Sequence, residues 1–123
     1  MKTNKTQLIE TLKKLREKTP DIEGSSIVTT NGLVIASDLM QDTDSKTFAA
    51  MAAEMTKSSN IVASELKLGR LNDTIISSSS GNIALLEIGK KAILICSLKN
   101  KANVGLALLQ MQRISTQLSR LIM

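Results

Sequence analysis

The 123-residue chain is 42% hydrophobic but only 1% aromatic, and its formal net charge is +5 at pH 7. Because Phe48 is the single aromatic residue, the core must be aliphatic, and no aromatic platform for stacking bases exists. The chain has no histidine and one cysteine, which excludes Ser-His-Asp catalysis, Cys-His nucleophiles and histidine metal sites.

The first predicted helix covers residues 4–18. Its apolar residues recur at helical spacing on one stripe, formed by Leu8, Ile9, Leu12 and Leu15. Lysine and arginine crowd its last turns, where positive charge suits the C-terminal end of the helix dipole, and Pro20 then stops the helix. These basic residues could contact an acidic partner, but a solvated helix end is the simpler interpretation.

Two β-branched runs around Asn31-Gly32 predict a β-hairpin with strands at residues 24–29 and 33–37. Asn-Gly is typical of the type I′ turn, because both residues tolerate the positive φ that this turn requires at its two central positions. A polar loop follows the second strand.

A long helix is predicted over residues 44–68, with Asp42 or Asp44 as its N-cap and Gly69 as the left-handed residue after its end. An apolar stripe runs along it, formed by Phe48, Met51, Ala52, Met55, Ser59, Val62, Ala63 and Leu66. Further alanines broaden its first half, at Ala49, Ala50 and Ala53. These alanines either admit a second helix at close range or fill a tight contact between helix and sheet.

Three strands and a helix complete the chain, with the strands at residues 71–79, 83–88 and 92–98. The last strand is apolar on both faces, which places it in the middle of the sheet, while the serine-rich strand suits an edge. Cys96 lies in that central strand, where a buried structural role is expected. Asn103 caps a final helix reaching residue 122, whose apolar stripe favours packing on the sheet over a coiled coil.

This order of elements resembles the roadblock/dynein light chain family over essentially the whole chain. The motifs that carry the resemblance are residues 22–37, in which Asn31-Gly32 and the segment to residue 37 follow a β run, then the alanine-rich segment 48–53, Leu68-Gly69, and the paired strands around Lys90. Members of the family often have Asp-Gly in the hairpin, and Asn-Gly serves the same turn.

The resemblance implies an α+β fold in a single roadblock-like domain over residues 1–123. The expected architecture is a profilin-like α/β/α sandwich in which a five-stranded antiparallel sheet carries the middle helix on one face and the two terminal helices on the other. It also implies a homodimer in which the middle helices pack together and the strands that follow them pair. The implied function is a non-enzymatic, prokaryotic-type module that scaffolds or regulates a small Ras-like GTPase, without catalytic residues, metal or cofactor.

The site residues are predicted on the middle helix and its neighbouring strand, which lacks the lysine and proline that usually protect an exposed edge. The predicted dimer interface comprises Ala49, Ala50, Ala53, Lys57, Asn60, Ile61, Thr74 and Ile76. The predicted contacts to a GTPase are Lys46, Glu54, Lys57, Ser58 and Arg70. Arg70 is a conceivable arginine finger, although a solvated loop arginine is the simpler interpretation.

Two other functions remain open, a nucleic-acid-binding protein and an adaptor between cargo and a motor. The sequence pI near 9.6 prompts the first, but the basic residues are not gathered in one stripe and no nucleic-acid motif is found. The sequence shows no phosphate-binding loop, no apolar run of membrane-spanning length and no apolar signal-peptide core, so a cytoplasmic protein is expected.

Overall fold

A computed structural model describes residues 4–122 of the chain. Residues 1–3 and 123 lie outside that description. The first three belong to the N-terminal stretch in which no signal-peptide core was found. The helices are α1 (Asn4–Lys18), α2 (Ser45–Glu65) and α3 (Val104–Leu121). The strands are β1 (Ile22–Thr29), β2 (Val34–Asp38), β3 (Thr74–Ser78), β4 (Gly81–Ile88) and β5 (Ala92–Leu98). All predicted elements are therefore confirmed in their predicted order.

The five strands form one antiparallel sheet in the order β2-β1-β5-β4-β3. The apolar strand β5 lies at the centre and the serine-rich strand β3 at an edge, as predicted. Helix α2 covers one face of the sheet, while α1 and α3 pack on the other. The predicted α+β sandwich of three layers is thus confirmed.

Alternating residues of β5 supply both cores. Leu94 and Cys96 face α1 and α3, whereas Ile93 and Ile95 face α2, and all four are fully buried. Burial raises the pKa of the Cys96 thiol, because the charged thiolate is disfavoured away from water. Cys96 therefore acts as a small apolar core residue.

The two cores differ in size. The cluster between the sheet and the α1/α3 layer contains 16 buried residues, whereas the cluster under α2 contains six. Two of those six are Ala49 and Ala52, the small side chains through which α2 contacts the sheet. Helix α2 is consequently held by a shallow core, and several of its larger apolar side chains remain exposed.

The hairpin between β1 and β2 is confirmed, but its turn is not type I′. Gly32 has φ +89°, whereas Asn31 is not among the residues with positive φ. The Gly32 N–H donates to the Thr29 carbonyl at 3.0 Å, and the Leu33 N–H donates to Thr29 Oγ1 at 2.9 Å. The threonine side chain thus supports a three-residue loop that ends at a left-handed glycine, the next most common hairpin connection.

The end of α2 differs from the prediction in one respect: Gly69 has the expected positive φ, +86°, but the left-handed residue that ends the helix is Lys67. Lys67 has φ +54°, its N–H donates to the Ser64 carbonyl at 3.1 Å, and the Leu68 N–H donates to the Ala63 carbonyl at 2.8 Å. These two bonds form a Schellman motif, which satisfies carbonyls that the helix end leaves free. The helix therefore stops before the glycine, on a lysine that takes the left-handed conformation.

Strand β3 begins at Thr74, three residues later than the predicted start at residue 71. Thr74 pairs with Leu85, so residues 86–88 of β4 extend beyond the paired part of β3. Residues 71–73 are not part of the strand. They line a cleft beside the end of β4.

Candidate functional site: the α2–β3 surface

The candidate site is the surface formed by the outward side of α2 and the edge strand β3, here called the α2–β3 surface. Asp44 starts α2 as its N-cap, accepting hydrogen bonds from the N–H groups of Lys46 at 3.1 Å and Thr47 at 3.3 Å. A further hydrogen bond from the Thr47 hydroxyl, together with these backbone bonds, lowers the pKa of Asp44. Of the two predicted caps, Asp44 is confirmed.

The inward side of α2 consists of small residues. Ala49, Ala52 and Thr56 are buried against the sheet, and Ala63, about two turns after Thr56, is buried as well. Ala49 was predicted in the dimer interface, but its side chain is fully buried in the core of its own chain. The side chain of Ala49 thus contacts the sheet of its own chain, and alanine spacing alone does not distinguish the sheet-facing side of a helix from its outward side.

Ala50 and Ala53, the alanines next to Ala49 and Ala52, lie beside the β1–β2 hairpin. A Cβ added to Gly32 would lie 3.3 Å from the Cα of Ala50 and 3.5 Å from the Cβ of Ala53. The tip of the β1–β2 hairpin therefore approaches the backbone of α2 through a glycine and two alanines. Ala53 is half-buried beside this tip, while Ala50 is exposed.

Large apolar side chains cover much of the outward side of α2. Met51 is 57% exposed, Ile61 53% and Val62 52%. Leu66 and Leu68 are also exposed at the end of the helix, and Ile76 is exposed on β3. Several large apolar side chains exposed on one helix and its neighbouring strand indicate an interaction site more strongly than isolated ones do.

Two apolar grooves run between α2 and β3. The groove beside the first half of the helix has a volume of about 500 Å³ and is lined by Phe48, Met51, Met55, Ile76 and Ile83, among others. The groove beside the second half has a volume of about 400 Å³, and its apolar lining includes Val62, Ala63, Leu68, Leu71 and Ile75. Together they give the α2–β3 surface a concave apolar floor.

The outer edge of β3 is unpaired among the described residues, because β3 is the last strand of the sheet. Thr74 and Ile76, both predicted in the dimer interface, lie on this strand. Thr74 Oγ1 is buried without a hydrogen-bond partner in the described chain. The edge thus offers backbone donors and acceptors next to the apolar grooves.

Among the predicted polar site residues of α2, Asn60 is hydrogen-bonded to its own chain and the proposed GTPase contacts are exposed. Asn60 donates to the Thr56 carbonyl at 3.1 Å and to Glu87 Oε1 at 2.7 Å, so its amide links α2 to β4 within one chain. The predicted GTPase contacts on the helix, Lys46, Glu54, Lys57 and Ser58, are all exposed. Glu54 lines the groove beside the first half of the helix, and Ser58 lines the groove beside the second half.

Arg70 is separate from these helix positions and lines a larger polar cleft of about 880 Å³. This is the cleft beside the end of β4, and its charged lining also includes Asp73, Glu87 and Lys90. Within residues 4–122, no group of three or more cysteine, aspartate or glutamate residues is placed to hold a metal ion.

Sequence reasoning missed the apolar part of the site. Met51, Met55 and Val62 were placed on one apolar stripe with Ala52 and Ala63, yet Met51 and Val62 point largely to solvent while the two alanines are buried. A signal was present, since the apolar residues and the alanines together cover more of α2 than one sheet-facing stripe needs. Ile83 was missed because its strand pattern does not reveal which part of the sheet the helix leaves uncovered.

The model of the Roadblock/LC7 domain matches residues 8–97 of the chain. The chain belongs to this family. An uncharacterized protein of Methanocaldococcus jannaschii is 34% identical over 96 residues, which cover 78% of this chain and 83% of that protein.

Solved structures share the fold at lower identity. An MglB structure with a tetrameric arrangement matches with a TM-score of 0.86 and 18% identity, covering 98% of this chain and 91% of its own. Profilin II of Acanthamoeba castellanii matches with a TM-score of 0.64 and 16% identity, covering 88% of this chain and 93% of its own. These likenesses establish the roadblock fold and its relation to profilin.

Proposed function

We propose that two copies of this chain pair through the α2–β3 surface and that the pair is a non-enzymatic platform for a small Ras-like GTPase. The observation that carries the pairing is the apolar floor between α2 and an unpaired strand edge. In this arrangement the β3 edges of two copies pair, and the exposed apolar side chains of each α2 contact the other copy, while the polar residues at the margin of that contact stay accessible.

The exposed side chains make pairing favourable. Full burial of a methionine, isoleucine or valine side chain stabilises an interface by roughly 1.5–3 kcal/mol, and Met51, Ile61 and Val62 are each more than half exposed in one chain. Pairing of β3 also satisfies backbone groups that otherwise depend on water. The tetrameric arrangement of an MglB structure is an example of assembly by a protein of this fold.

The proposed link to a small GTPase rests on membership of the Roadblock/LC7 family. The resemblance to this family implies that class of partner. A protein without its own catalytic machinery can act on a GTPase by biasing the switch loops, which are ordered by the γ-phosphate. The exposed polar residues Lys46, Glu54, Lys57 and Ser58 are the proposed contacts. Arg70 in the neighbouring cleft is the candidate for direct stabilisation of charge during hydrolysis.

Pairing is tested with a double variant, Ile61→Lys with Val62→Lys, which puts charge on side chains that are already exposed in one chain. By light scattering at micromolar concentration, the wild type should have about twice the 13.3 kDa mass of the chain, and the variant should be monomeric. Met40→Lys is the matched control, because Met40 is 51% exposed outside the α2–β3 surface. A wild-type mass of 13.3 kDa contradicts the pairing.

GTPase binding is tested by calorimetry against the small GTPases of the same cell in their GDP and GTP states. Binding in at least one state is expected, and its absence from every GTPase in both states contradicts the proposal. Hydrolysis assays with Arg70→Ala then separate two roles. A slower reaction supports an arginine that acts on the transition state, whereas an unchanged reaction leaves a scaffold or a regulator that uses other contacts.

A further inference from the structure

The positive charge of the chain is concentrated on the side of the sheet opposite the α2–β3 surface. Helix α1 carries five basic and two acidic residues, and α3 carries two basic residues and no acidic one. Helix α2 carries two of each, and the remaining described residues comprise six basic and seven acidic ones. The excess of positive charge in residues 4–122 therefore belongs to the α1/α3 layer.

Most basic side chains of α1 are directed to solvent. Arg16 is also exposed, but its guanidinium already donates to the Asp38 carboxylate at 2.7 and 3.4 Å. Lys13, Lys14 and Lys18 are exposed. These lysines are available to an anionic surface that approaches from outside the layer.

The outer side of α3 combines apolar and basic residues. Leu106 is 46% and Leu109 42% exposed, and both share a stripe with Arg113 and Arg120 because spacings of three, four and seven residues lie on one side of a helix. The opposite side of α3 contains its fully buried residues, Ala107, Met111 and Leu118. The two leucines therefore face away from the core that the helix covers.

The packing of the layer brings the leucines close to the lysine-rich end of α1. Helices α1 and α3 contact each other, and the Asn103 N–H at the start of α3 donates to Asp21 Oδ2, three residues after α1 ends, at 2.9 Å. The first turn of α3 thus lies near the last turn of α1. Leucines flanked by exposed cations form one outer surface, here called the basic face.

We propose that the basic face binds the surface of an anionic lipid membrane. The lysines and arginines interact with the anionic headgroups, and Leu106 and Leu109 enter the boundary between headgroups and acyl chains. The leucines favour lipid over nucleic acid, because a phosphate backbone attracts the cations but offers no apolar layer to the leucines. No helix among the described residues is long and apolar enough to cross a membrane, so the attachment is peripheral.

This attachment goes beyond the proposed function and does not depend on it. The sheet separates the basic face from the α2–β3 surface, so a membrane on one side leaves the other side open. A pair formed along β3 keeps α1 and α3 of both copies on the same side of a continued sheet. If that pairing occurs, it doubles the number of membrane contacts; without it, each chain still has a complete basic face.

The test is co-sedimentation of the full chain with vesicles of phosphatidylcholine containing phosphatidylserine, compared with vesicles of phosphatidylcholine alone. Binding to the anionic vesicles only, and weakening with added salt, is expected. Lys14→Glu with Arg113→Glu should lower the affinity about tenfold or more. The control, Lys67→Glu, reverses the charge of an exposed lysine that follows α2 and should change affinity by about twofold or less.

A second variant separates lipid from nucleic acid. Leu106→Ser with Leu109→Ser should weaken binding to the anionic vesicles but leave retention on duplex DNA unchanged, and circular dichroism checks that each variant remains folded. Absence of binding to anionic vesicles, or equal binding to both kinds of vesicle, overturns the proposal. An unchanged vesicle affinity in either basic-face variant also overturns it, and strong retention on DNA without vesicle binding assigns the basic face to nucleic acid instead.

Discussion

The two faces of the sheet are covered in different ways. On one face, α1 and α3 bury 16 residues with the sheet and expose an outer surface rich in lysine and arginine. On the other face, α2 buries six residues with the sheet and exposes methionine, isoleucine, valine and leucine. The α1/α3 layer thus covers a large core and has a charged outer surface, whereas α2 covers a small core and has an apolar outer surface.

The difference lies in how the two layers use their large apolar side chains. The α1/α3 layer uses its large side chains to stabilise the single chain. Helix α2 contacts the sheet through alanines instead, which leaves its larger side chains, such as Met51 and Val62, directed outward. Apolar surface withheld from the chain's own core is available to a partner, and this is why the α2–β3 surface is the candidate interface.

Two neighbouring residues of β5 offer the most direct test of the comparison. Leu94 and Ile93 are both fully buried, but Leu94 faces the α1/α3 layer and Ile93 faces α2. Truncation of such residues costs about 2–5 kcal/mol, depending on how far the surroundings collapse into the cavity. We expect Leu94→Ala near the upper end of this range and Ile93→Ala near the lower end, because the flexible methionines beside the shallow core can refill it.

The measurement is the free energy of unfolding in urea at low protein concentration, where pairing contributes least. Leu8→Ala, another truncation on the α1/α3 side, serves as a check that the larger loss belongs to the face and not to Leu94 alone. Equal losses for Ile93→Ala and Leu94→Ala would mean that the core under α2 is as rigid as the other, and the comparison would fail.

Periodicity was sufficient to predict the elements and the places of two strands, whereas the arrangement of the helices in layers was implied by the family resemblance. The doubly apolar pattern of residues 92–98 required cover on both faces, which put β5 in the centre, and the serine-rich strand remained for the edge. These are properties of whole segments, so several residues contribute to each prediction and single exceptions do not alter it.

Details that depend on one contact could not be predicted in the same way. The hairpin loop is supported by the hydroxyl of Thr29, and α2 ends at Lys67 because two carbonyls find N–H donors there. The outward side of α2 was also inaccessible to pattern reasoning, since Ala49 and Ala50 are identical in type but one is buried and the other exposed. Only the direction of the helix across the sheet distinguishes them.

The contact between the hairpin tip and α2 gives a prediction of intermediate size. Gly32→Ala should destabilise the fold by roughly 1–3 kcal/mol, because its φ of +89° is unfavourable for alanine and the new Cβ would lie 3.3 Å from the Cα of Ala50. Gly89→Ala is the matched control: its φ is +58°, but no atom lies within 4 Å of the added Cβ. Thermal unfolding should rank Gly32→Ala as the more damaging change, and the reverse ranking would mean that the hairpin does not support α2.

The smallest expected effect is a gain in stability at the end of α2. Lys67 adopts φ +54°, a conformation that costs a residue with a Cβ roughly 1–2 kcal/mol and glycine almost nothing. Lys67→Gly should therefore stabilise the fold by roughly 0.5–1 kcal/mol, after the greater flexibility of glycine in the unfolded chain is subtracted. Lys67→Ala is the control, since it removes the charge but keeps the Cβ, and it should give no such gain. If urea unfolding shows equal gains for both variants, charge and not backbone conformation limits this end of α2. A gain for glycine alone would sharpen the contrast between the two faces, because the helix with the shallow core would then also end in an unfavourable backbone conformation.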